Sequence, residues 1–197
     1  MKHLGVWLAA MTLAAGAPGA IQLDVGTRDV EEALKLARAS ELDRGRFHAA
    51  YQAPVSGSSV ESLEVITEYR RMVLLAEERL VLGQYGWLTR EAEEALKPWK
   101  RTIALRAQVR LNPHNVYPTP PAIQIVLGRG PGELRPSRTQ SDAKYGLTGG
   151  RGAGSMIAVV IEAVFDAPAV GQRTLVVTVR GPDSPDFVSS IDFARLR

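Results

Sequence analysis

The chain has 197 residues, 45% of them hydrophobic and 23% charged, and no cysteine. That composition excludes disulfides, thiolate metal sites and a cysteine nucleophile, and leaves stability to an ordinary apolar core. The formal net charge of +3 hides an asymmetry: 14 acids face 10 bases over residues 24–99, whereas residues 100–155 hold nine bases against only Glu133 and Asp142, so the middle of the chain is locally basic.

Met1-Lys2-His3 gives a short basic start, residues 4–15 (LGVWLAAMTLAA) an apolar run, and residues 16–20 (GAPGA) a small-residue stretch. This order predicts a cleavable secretory signal over residues 1–20, cut near Gly19 or Ala20. The apolar run is shorter than the roughly 20 residues a bilayer crossing needs. The expected compartment is therefore periplasmic or extracellular, with no transmembrane segment after signal removal and no nucleic acid as partner.

Residues 21–99 read as mainly helical with one edge strand. Residues 29–39 place Val30, Leu34 and Ala37 on one helical face, with Asp29 and Glu32 at capping-box spacing. In residues 46–55, Phe47, Ala49, Tyr51, Ala53 and Val55 alternate with His48, Ala50, Gln52 and Pro54. That period predicts a strand, held to a sheet edge by Pro54 and open to pairing with a partner. Ser58 and Glu61 then suggest a cap for one long helix over residues 60–82, and Thr89 a cap for a shorter helix ending at Leu96 before Pro98.

Residues 100–197 read as an antiparallel β domain. Residues 101–111 alternate cleanly, with Ile103, Leu105, Ala107, Val109 and Leu111 on one face and Arg106, Gln108 and Arg110 on the other. A proline-rich loop (112–121) leads to a short strand at 122–127, then to a long Gly/Arg-rich loop at 128–155. Residues 156–165 (MIAVVIEAVF) are apolar on both faces and read as a central strand; residues 173–180 and 187–194 supply two more. The fold class is α+β: a small antiparallel β-sandwich or curled sheet of five to six strands, with an N-terminal helix and an inserted helical segment.

No motif fixes a reaction. Only His48 and His114 follow the leader, without metal-ligand spacing; there is no GxSxG elbow, and a triad from Asp142, His114 and Ser155 would need loops to converge. GGRGAGS (149–155) lacks the lysine of a phosphate loop, so no cofactor is expected. Glu162, inside an apolar strand, falls on the same side as Asp166, and a hydrolase would use Glu162 or His114, unless Arg106 or Arg110 neutralises Glu162 across the sheet. Glu64, Glu68 and Glu77 read as solvated helix faces. Binding is expected from two loops: His114, Asn115 and Tyr117 on the stiff proline-rich one, and Arg129, Arg138 and Arg151 on the basic one. The expectation is an exported, non-enzymatic binding or interaction module of the cell envelope, taking an envelope protein, a peptide or an anionic polymer; the alternative is a small envelope hydrolase acting on a glycan or peptide.

Overall fold

The switch from strand to helix at Thr67 organises the first half of the molecule. Val60–Ile66 forms β2, with Val60, Leu63 and Val65 turned inward and Glu61, Ser62 and Glu64 outward. Thr67 then accepts a hydrogen bond from the Arg70 N–H at 3.2 Å and opens α3, Glu68–Val81. The computed structural model describes residues 24–146, 154–182 and 185–197. The expected signal at 1–20 lies outside them.

The expected single helix over 60–82 is thus corrected to a strand followed by a helix. The Ser58 cap does not form; Ser58 Oγ accepts instead from the Val60 N–H, two residues on. A bulge between Val60 and Ser62 breaks the alternation that would have announced a strand. Thr67→Ala removes the cap and is expected to cost about 1–2 kcal/mol of stability in chemical denaturation.

The strand expected over 46–55 is also largely corrected. Ser40 caps a helix, α2 (Glu41–Ala49), by accepting from the Asp43 N–H at 3.2 Å, and only Gln52–Ala53 remains extended as β1. Alanines at alternate positions satisfy a period of two without requiring a strand, whereas Phe47 and Tyr51, four apart, pack ring against ring at 5.0 Å. Ahead of α2, α1 (Thr27–Ala37) buries Val30, Ala33, Leu34 and Ala37, and Asp29 accepts from the Gly26 N–H at 2.9 Å.

After α4 (Thr89–Leu96) and a 3-10 turn at Lys97–Trp99, the chain enters β3 (Thr102–Arg110), β4 (Gln124–Leu127), β5 (Arg138–Gly146) and β6 (Ser155–Asp166). A four-residue helix, α5 (Ala167–Val170), precedes β7 (Thr174–Arg180) and β8 (Phe187–Asp192). β5 corrects the expectation of an unbroken loop at 128–155. Its residues RTQSDAKYG carry no apolar rhythm because both faces of the strand are largely exposed; the ladder to β6, not burial, makes it a strand.

Two antiparallel sheets result, of order β1-β2-β3-β6-β5 and β4-β7-β8. The class is α+β as read from the sequence, with eight strands among the described residues where five or six were expected. Ile103, Leu105, Val159, Ile161 and Phe165 meet Ile125, Val177, Val179 and Ile191 in the core between the sheets. On the opposite face, Leu74 of α3 and Trp99 cover Ile66, Ala104 and Val164, and α1, α3 and α4 close a second core around Met72, Val73, Trp87 and Leu96. The helices shield only part of the five-stranded sheet. The rest of its outer face is open.

Candidate functional site

The open face is polar because alternation sends every second residue of β3, β6 and β5 away from the sandwich. Arg106 of β3 and Gln140 of β5 both sit opposite Glu162 of β6; Asp142 sits opposite Val160, and Lys144 opposite Ala158. One cavity of about 510 Å³ lies over this floor, walled by Arg71 of α3 and by Trp99. A second, of about 380 Å³, continues past Arg110, Ile157 and Ala158 to Pro113 and Asn115 of the proline-rich loop. Gln108 and Lys144 line both, so the two form one groove along the sheet. From Ile157 to Glu162 it extends roughly 17 Å at the rise of a β-strand.

At one end of the groove the charges are tightly organised. Glu162 accepts from Arg71 at 2.6 Å through one carboxylate oxygen and from Arg106 at 2.8 and 3.1 Å through the other. Arg106 also reaches Glu64 at 3.4 Å, and Glu64 pairs with Arg70. Burial pushes the Glu162 pKa up, but hydrogen bonds and charge from Arg71 and Arg106 outweigh it and hold the carboxyl below its ordinary 4.5. Burial likewise pulls Arg71 down, against the attraction of Glu162. The guanidinium groups of Arg71 and Arg138 stack on the Trp99 ring at 4.0 and 4.3 Å from its centroid. A carboxylate held ionised between two arginines is a poor proton donor. What the carboxylate does in this geometry is orient the two guanidinium groups.

Of the residues expected from sequence to form sites, the structure gathers some and separates others. Glu162 and Arg138 meet around the Trp99 end, and Asn115 lines the far end. Asn115 donates to the Tyr117 hydroxyl at 3.1 Å, and Tyr117 is half-buried against the sandwich core. His114 is exposed, its N–H bonded to Asn112, and Arg129 is exposed after β4; neither lines the groove. Arg151 lies outside the described residues. Asp142 and Ser155 both line the groove but His114 does not, so these cavities do not assemble the triad.

Three glutamates expected on solvated helix faces are corrected. Glu64 stands on β2 in the ion network. Glu77 holds His48 at 3.0 Å and Arg44 at 3.6 Å. Glu68 is buried at the start of α3, where it accepts from the N–H groups of Val25 at 3.2 Å and Arg101 at 3.0 Å, and burial raises its pKa. Sequence reasoning missed Arg71 and Trp99 as groove residues, since only tertiary packing of α3 and the 3-10 turn brings them to the sheet. The alternation of β3 left Arg106 and Arg110 as possible partners of Glu162, and the register of β3 on β6 selects Arg106.

Among the described residues no group of three or more His, Asp or Glu side chains is placed to hold a metal ion, and no helix is long and apolar enough to cross a membrane. These elements define an α+β protein of two antiparallel sheets with a charged groove on the outer face of the larger one. No family model, curated protein or solved structure matches the chain.

Proposed function

We propose that the chain is an exported, non-enzymatic binding module of the cell envelope, and that its ligand is an extended acidic chain, a peptide or an anionic polymer, lying in the groove. The observation that carries this reading is the groove's arginine-rich end, where Arg71, Arg106 and Arg138 are fixed in place by Glu162 and Trp99. Fixed cations bind an anion without first losing side-chain freedom. Lys144 and Gln108 continue the donors along the floor, and Ile157 with Pro113 offers an apolar stop. Export rests on the basic, apolar, small-residue order of residues 1–20.

Calorimetric titration with glutamate and lysine oligomers tests the binding. The acidic oligomer is expected to bind and the basic one not to, with affinity falling as salt is raised toward screening concentrations. Trp99→Ala and Lys144→Glu should each weaken binding by about tenfold, the loss of roughly one well-placed contact. Binding indifferent to salt, or no binding of the acidic oligomer, overturns the ligand class. Fractionation of a bacterial host expressing the full chain tests export: the processed protein should begin at or just after residue 20 and leave the cytoplasm.

A further inference from the structure

We propose that β5 pairs with β5 of a second copy of this chain, antiparallel and centred on Gln140, joining two five-stranded sheets into one of ten. β5 is a nine-residue edge strand, paired with β6 on one side and, among the described residues, with no strand on the other. It is exposed on both faces and contains no proline, so its outer edge has the free N–H and C=O groups that accept another strand. The opposite edge of the sheet, β1, is only two residues long and is followed by Pro54; that edge, the one expected from sequence to pair, offers little ladder.

Charge selects the register. A two-fold axis normal to the sheet pairs residues symmetrically about one central position, with partners on the same face. Centred on Asp142, the axis sets two carboxylates against each other; centred on Ser141, it sets Arg138 against Lys144. Both are penalised by like-charge contact. Centred on Gln140, it sets Arg138 against Asp142 of the other copy twice over, and Thr139 against Ser141 on the reverse face. An axis at Ala143 would pair Asp142 with Lys144, but the β5–β6 ladder is irregular between Lys144 and Tyr145, and a bulge there turns the edge away from straight pairing. Gln140 is the centre that satisfies charge and keeps to the regular part of the strand. Because the axis is normal to the sheet, both grooves open on the same side and run antiparallel, with Gln140 and Asp142 lining the wall between them.

The interface is small, so the association is expected to be weak and to be seen at high protein concentration. The cysteine-free sequence allows a direct test. In this register the two Gln140 Cα atoms face each other at about 5 Å, within disulfide reach, while the two Ala143 Cα atoms are displaced by about 20 Å. Purified Gln140→Cys protein should therefore oxidise to a covalent dimer and Ala143→Cys protein should not. Sedimentation supplies a second arm: the wild-type mass should approach double at high concentration, Asp142→Arg should stay monomeric, and the swap Arg138→Asp with Asp142→Arg should restore the dimer. Cross-linking through Ala143→Cys instead, equal cross-linking of both variants, or a wild-type chain that remains monomeric throughout overturns the proposal. The result does not depend on whether the groove binds an acidic chain.

Discussion

Glu162→Ala is expected to lower the unfolding free energy by about 3 kcal/mol, the scale for breaking a buried pair by removing one partner. The loss comes chiefly from Arg71. Its side chain is 9% exposed and would be left charged beneath Trp99, whereas Arg106, at 35%, can turn toward water. Glu162→Gln keeps an acceptor and should cost about half as much. The pH dependence follows from the direction of the shift. Because the folded-state pKa of Glu162 lies below its ordinary 4.5, its stabilisation is complete above that value and disappears as pH falls through the folded-state pKa. Glu68 has the opposite sign: burial raises its pKa, so its ionised form opposes folding above the raised value and that cost vanishes on acidification. Denaturation series on wild type and Glu162→Gln should converge below pH 4.5; curves that stay parallel would show that Glu162 is not held by the two arginines.

Phe165→Ala is expected to cost about 4 kcal/mol, in the range for emptying a buried aromatic site. Phe165 is 1% exposed, lies on β6 between β3 and β5, and projects into the core between the two sheets. Tyr145→Ala removes a ring of similar size from β5, where it is 65% exposed, and should change stability by no more than about 0.5 kcal/mol. Urea midpoints for the two variants separate these expectations. Equal losses would mean that the core does not sit on the inner face of the larger sheet.

What the sequence disclosed follows from how burial writes itself into the chain. β3 and β6 were legible because one alternates and the other is apolar throughout, as expected of strands covered on one or both faces. α1 was legible from helical spacing, and α4 from its stop before Pro98, although Thr89 is its first residue and the cap expected there is Leu88, whose N–H donates to Glu91. β2 was not: its bulge shifts the alternation, and the apolar residues of α3 follow without a break, so that Thr67, a cap three residues before Arg70, is the only local mark of the boundary. β5 left no apolar trace because neither of its faces is well covered. The groove was half legible. Glu162 and an arginine partner on β3, Arg106 or Arg110, can be read from the two strands, and their register decides for Arg106, while Arg71 and Trp99 arrive from a helix and a turn whose docking no local pattern encodes.

The same geometry pairs bases from the middle of the sequence with acids from the stretch before it and from β6. Arg106 is taken up by Glu64 and Glu162, and Arg110 lies 3.6 Å from Glu61 of β2. The side chains that approach a ligand from the groove floor are then Gln108, Gln140, Asp142 and Lys144, framed by the stacked arginines. An acidic chain would meet donors at the arginine-rich end and at Gln108 and Lys144, with the Asp142 carboxylate between them.

The indole N–H resonances of Trp87 and Trp99 give the most direct reading of the groove, since Trp87 is buried in the helical core and Trp99 stands at the arginine-rich end. On titration with hexaglutamate, the Trp99 signal is predicted to move to saturation while that of Trp87 stays in place. A Trp99 signal that does not move, with or without a shift at Trp87, contradicts the assignment of the groove as the binding site.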